Sequence, residues 1–121
     1  MASSVGLAVY SLASGVFGPR QHPAGWPFPL ADVGPQPHEL NLLKLAPGKT
    51  AQDVLAWENA PSGPPPFAAV GGVNGLSPTG VEYMTLDLQP GSYVAICHIP
   101  DPASGLPHDH LGMLKAFSVR T

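Results

Sequence analysis

At 121 residues the chain has the length of one domain, 1–121, with room for one core and not two. Charged residues make up only 11% and the net charge is −3 with no basic block, which excludes the electrostatic footprint of a nucleic-acid binder and a polybasic membrane patch. No apolar run approaches the roughly 20 residues that span a bilayer, and a single cysteine rules out an intramolecular disulfide and raises the question of a metal or a nucleophile instead.

The fourteen glycines and sixteen prolines punctuate short apolar runs rather than forming repeats, the pattern of an all-β domain rich in turns. Met1 to Val5 lacks a positive region ahead of an apolar stretch, so it does not read as a secretory signal. Val5 to Leu12 is rich in β-formers and reads as a first strand, broken by Ser14-Gly15 and Gly18-Pro19. His22 falls in a turn and reads as exposed. In Trp26 to Val33, Trp26, Phe28 and Leu30 recur in period two, while Pro27 and Pro29 lack ladder donors, which predicts an edge or irregular strand. After the turn Gly34-Pro35-Gln36-Pro37, His38 to Leu45 reads as a strand with His38, Leu40 and Leu42 on one face.

Lys49 to Ala60 is the one helix the pattern predicts. Thr50 caps it, Asp53 reaches back as in a capping box, and Val54 and Trp57 anchor it. Pro61 to Pro66 ends it. From there to Pro78 the chain reads as a surface excursion pinned by Phe67 and Val70, with Gly71-Gly72 and Asn74-Gly75 as turns. Val81 to Leu88 is the clearest strand, with Met84, Leu86 and Leu88 on one face and Tyr83, Thr85 and Asp87 on the other. Gln89 to Ser92 reads as a tight turn into a hairpin partner, Tyr93 to Cys97, and Leu114 to Val119 closes the sheet. Six or seven short strands with one helical insertion suggest a sandwich or a barrel.

The chemistry gathers between the last two strands. Cys97 is either a thiolate ligand for copper or zinc or an inert buried thiol, and a lone cysteine cannot build an iron–sulfur cluster. His38 and His108 supply imidazole, which suits both metals; otherwise they are a polar strand start and a solvated loop residue. Met113 separates the metals, since a thioether is a poor fourth ligand for zinc and a usual weak axial one for copper; its bland reading is a core methionine. His98 adjoins Cys97, and neighbours on a strand point to opposite faces. His110 competes with His108, which is favoured by its spacing and by the stiffening Pro107. Glu39 reads as facing water rather than orienting a ligand. Asp101/Asp109 and Asp53/Glu58 lack the spacing of an acid–base pair, and no oxyanion-hole motif accompanies Cys97, so no enzyme is expected.

Pro90-Gly91-Ser92-Tyr93-Val94-Ala95-Ile96-Cys97, then His108-Asp109-His110-Leu111-Gly112-Met113, then a closing strand, resembles the end of a plastocyanin-like cupredoxin. That family places a copper Cys after such a strand, follows it with His, four residues and Met, and takes its first His from an earlier strand, where His38 looks similar. The departure is the insert His98 to Pro107, which resembles a divergent bacterial branch carrying Pro-Asp and Gly-x-Pro-His in this loop; loop-closure cost grows slowly enough with length to accommodate it.

The resemblance implies a cupredoxin-like Greek-key β-sandwich with one short helix in a long connection. It implies one copper ion, Cu(I)/Cu(II), held by His38, Cys97, His108 and Met113 for electron transfer or copper holding. It also implies a monomer in the periplasm or outside the cell, and a redox-protein partner meeting a small apolar patch for which Trp26, Phe28, Phe67 and Leu111 are candidates. Two other readings belong to different classes. One is a metal-free recognition module on the same fold. The other is an accessory domain of a multicopper oxidase or nitrite reductase, which needs more histidine clusters than five His supply.

Overall fold

Two strands with both faces covered set the architecture. A computed structural model describes residues 7–8, 16–17, 27–32, 35–85 and 87–119, with side chains from residue 30 onward. Its strands are β1 (Leu7–Ala8), β2 (Val16–Phe17), β3 (Pro27–Asp32), β4 (His38–Leu45), β5 (Phe67–Leu76), β6 (Val81–Thr85), β7 (Gly91–Ile96) and β8 (Leu114–Val119), with one α-helix, α1 (Ala51–Asn59). One sheet runs β1-β3-β6 and the other β2-β8-β7-β4-β5. Every pairing is antiparallel except β2 with β8. Among the described residues the chain is therefore all-β with one α-helix. Among the described residues no helix is long and apolar enough to cross a membrane.

Side chains alternate across a strand, so β4 and β7 serve two cores at once. Leu40 and Leu42 of β4 with Tyr93 and Ala95 of β7 join Leu30, Leu76 and Phe117 in the cluster between the sheets. Leu43 of β4 with Val94 and Ile96 of β7 face the other way and pack under Val54 of α1. Each fully buried leucine here contributes on the order of 2 kcal/mol. Two periodic sets are thus interleaved, which is why these runs look almost continuously apolar.

The helix forms where the sequence predicts it. The Thr50 side chain accepts from the Asp53 N–H, and the Asp53 carboxylate accepts from the Thr50 N–H at 2.8 Å. Val54 is fully buried, and Trp57 meets Phe67 edge-on and donates to the Gly63 carbonyl.

Three expectations need correction. The excursion read between Phe67 and Pro78 is largely the strand β5, the outer partner of β4. Gly71-Gly72 is not a turn: the two residues sit in the ladder opposite Leu42 and Asn41, between two register shifts. A Cβ on Gly72 would lie 2.0 Å from the Leu40 carbonyl oxygen, so only glycine lets the two backbones approach there. The hairpin expected from Val81 to Cys97 does not form, because β6 pairs with β3 in one sheet while β7 pairs with β4 and β8 in the other. Gln89-Pro90 carries the chain between sheets. Finally, β3 lies inside its sheet rather than at an edge. Among the described residues β1 pairs with Ala31 and Asp32, beyond Pro27 and Pro29. Trp26, His22 and most of the stretch Val5 to Leu12 lie outside the described residues, as does Leu86; of Phe28 only the backbone is described.

Candidate metal centre

The same alternation that splits the core splits the polar residues at one end of the larger sheet. His38 continues the face of Leu40 and Leu42, and Cys97 that of Tyr93 and Ala95. Both therefore turn inward between the sheets, and both are fully buried. Glu39 and Asn41 continue the opposite face of β4, and His98 that of β7. Asn41 lies opposite Ile96, so the register carried two residues further sets Glu39 against His98.

His108 arrives from a short 3₁₀ turn, His108–Leu111, between β7 and β8. The loop before it is tightly made. Pro100 and Pro107 form a bridge, the Asp101 N–H donates to the Leu106 carbonyl at 2.8 Å, and the His108 N–H donates to Ile99 at 2.9 Å. Asp101 organises the bend. Its carboxylate accepts from the backbone and hydroxyl of Ser104 at 2.9 and 2.8 Å, and from Gln36 Nε2 at 2.8 Å. These bonds, Gln36 first, hold its pKa down at about 2. The insert is thus a folded strap that delivers His108.

Three donor atoms converge. Cys97 Sγ lies 3.9 Å from His38 Nδ1 and 3.6 Å from His108 Nδ1, and the two imidazole rings are 4.5 Å apart. All three side chains are buried. The backbone N–H of Glu39 donates to Sγ at 3.4 Å. The separations suit a shared ion. A first-row metal with bonds of about 2.0 Å to nitrogen and about 2.3 Å to sulfur, at angles of about 110–120°, spaces those atoms by about 3.5–3.7 Å.

Burial opposes charge on two of the donors. Burial pushes the Cys97 thiol above its ordinary value, against the pull of the Glu39 and Ile99 N–H groups. Burial also holds His38 below its ordinary value, with Asp32 partly offsetting and His108 adding to the shift. His108 gives its Nε2–H to Gln36 Oε1, which leaves Nδ1 as the lone-pair nitrogen facing the sulfur. The Nε2 of His38 is buried and has no hydrogen-bond partner among the described residues.

Of the four predicted ligands, the structure brings His38, Cys97 and His108 together. Met113 is buried beside them, with its N–H donating to His108 at 2.9 Å and its carbonyl accepting from Cys97 at 3.3 Å. Of the two competing histidines, His108 is the one that faces the sulfur. His110 turns away to Asp109 and Asn59. His98 also points away from the sulfur, as alternation requires, and its Nε2 meets Glu58 at 2.7 Å. Glu39 does not face water as its sequence context suggests. Its carboxylate accepts from the His98 N–H and from Asn41 Nδ2, each at 3.0 Å. Sequence reading missed Gln36 altogether, since a glutamine between two prolines carries no signal beyond a turn.

Comparison with protein-family models, with curated proteins and with solved structures gives no match.

Proposed function

We propose that this protein binds one copper ion through His38, Cys97 and His108, with Met113 as a weak axial ligand, and that it carries electrons or holds copper as a cupredoxin-like domain. The observation that carries the reading is the buried sulfur flanked by two imidazole Nδ1 atoms at 3.6 and 3.9 Å. One thiolate and two imidazoles, with the buried Met113 tied through its backbone to both His108 and Cys97, form a donor set that suits copper better than zinc. The sheet order supports a Greek-key sandwich, because β4 and β7 are neighbours although β5 and β6 intervene, one at the sheet's edge and one in the other sheet.

When bound, the ion supplies a one-electron change of oxidation state. The chain's residues do the rest. β4, β7 and the strap fix the donors before any ion arrives, so little rearrangement accompanies a change of charge. Gln36 holds the His108 tautomer, and the Glu39 N–H stabilises negative charge on sulfur. The exposed Leu106 and half-buried Leu111 at this pole offer a small apolar surface for a redox protein, in keeping with transient contacts of modest area. A location in the periplasm or outside the cell is in keeping with this reading.

Titration of the purified chain with Cu(II) tests this. An intense visible thiolate-to-copper band is expected at one equivalent, absent in Cys97→Ser and shifted in Met113→Leu. A wild-type chain that takes up no copper would favour a metal-free recognition module.

A further inference from the structure

A second group of donors stands on the helix-facing side of the same sheet. Glu58 comes from the last turn of α1, His98 from just beyond β7, and Asp109 from the 3₁₀ turn, and one donor atom of each lies within 4.8 Å of the others. We propose that Glu58, His98 and Asp109 form a site for a divalent cation of the zinc class, separate from the Cys97 centre.

The geometry is that of a half-open metal site. His98 Nε2 lies 2.7 Å from Glu58 Oε1 and 3.8 Å from Asp109 Oδ2. Ligands at about 2.0–2.1 Å in tetrahedral array stand about 3.3 Å apart, between those two values. The Asp109 side chain is only 1% exposed. Its Oδ1 binds the backbone and ring nitrogens of His110, but its Oδ2 has no hydrogen-bond partner among the described residues unless Glu58 carries a proton. No lysine or arginine is paired with either carboxylate among the described residues; the ion pairs there are with His98 and His110. Two carboxylates facing each other with so little water need positive charge between them, supplied by a proton or by a metal.

The imidazole favours the metal. A shared proton needs only the two carboxyls, whereas here a nitrogen donor converges on the same point. His98 is anchored from behind. Its backbone N–H is held by Glu39, and Asn41 meets its Nδ1 at 3.2 Å. With metal on Nε2 the imidazole proton sits on Nδ1, on the side of the Glu39 carboxylate, whose Oε1 lies 3.7 Å away. The His98 side chain is 40% exposed, which leaves an open side for entry and for a water ligand. Oxygen and nitrogen donors without sulfur exclude a preference for Cu(I) and fit Zn(II).

The test is calorimetric titration of the full chain with Zn(II) alone, in a Cys97→Ser background that removes the thiolate of the first centre. One equivalent of Zn(II) is expected to bind, and adding Glu58→Gln should weaken it about tenfold or more. Asp109→Asn should do the same, but it is buried and its folding must be checked by circular dichroism. Glu58 lies at the helix end and is partly exposed, so its variant decides if Asp109→Asn unfolds. Absence of zinc binding in Cys97→Ser, or equal affinity with and without Glu58→Gln, overturns the proposal and leaves a proton-sharing pair. Neither result bears on copper uptake by the wild-type chain, so the two readings fail separately.

Discussion

His108 donates its Nε2–H to Gln36, and Gln36 in turn donates to Asp101, so one amide joins a candidate ligand to the carboxylate that shapes the loop carrying it. Gln36 stands ahead of β4 and the other two lie between β7 and β8. The bridge therefore spans the two chain segments that supply the centre. It fixes which imidazole nitrogen faces the sulfur and where the strap rests. Gln36→Leu should therefore leave the fold intact and reduce copper affinity about 10–100-fold. Competition with a copper chelator measures it; unchanged affinity would show that the tautomer is set elsewhere.

Asp101 makes the strap sensitive to acid. Its folded pKa of about 2 lies below the ordinary 3.8, so the folded chain binds this proton less readily than the unfolded one. The resulting stability is fully present above the ordinary value and is lost as pH falls through about 2. Asp101→Asn removes that contribution. Hydrogen exchange at pH 5 to 7 should then show faster exchange at the Ser104 and Leu106 amides in the variant, with the amides of β4 unchanged. Equal protection in both proteins would mean that the carboxylate does not organise the bend.

Cys97 acts at the opposite end of the pH scale in the metal-free chain. Its folded pKa lies above the ordinary 9.0, so the native state keeps a proton that the unfolded chain releases. That contribution is intact below the ordinary value and disappears as pH rises through the folded one. Urea midpoints should fall between about pH 8 and about pH 10 for the wild type and stay level for Cys97→Ser. At higher pH both should decline, because burial also raises Tyr93 above its ordinary 10.0.

Gly72 tests how the edge strand supports the site. Its φ of +154° and the 2.0 Å approach of an added Cβ to the Leu40 carbonyl oppose any side chain. Gly72→Ala should cost about 2 kcal/mol or more. Because Leu40 lies two residues from His38 on the same face, copper affinity should fall as well. A variant as stable as the wild type in urea would refute the close approach.

Much of this was legible in the residues themselves. The Thr50–Asp53 cap, the shared face of His38, Leu40 and Leu42, and the opposed directions of Cys97 and His98 all follow from local periodicity, and they recur in the structure. What local reading cannot see is which strand meets which. Tyr93 after Pro90-Gly91 looks like a hairpin return, yet β7 is buried on both faces and its sheet neighbours are β4 and β8. Gly71-Gly72 signals a turn as readily as a close approach of two strands, and only the distant Leu40 carbonyl distinguishes them. Glu58, His98 and Asp109 lie far apart in sequence, and it is the docking of α1 over Val94 and Ile96 that assembles them.

X-ray absorption at the copper edge of the one-equivalent complex measures the ligand sphere itself. One sulfur at short distance and two imidazole nitrogens are expected, with the sulfur contribution replaced by lighter atoms in Cys97→Ser and one imidazole lost in His38→Ala. A wild-type sphere of nitrogen and oxygen alone, unchanged by Cys97→Ser, would contradict copper binding at the buried thiolate.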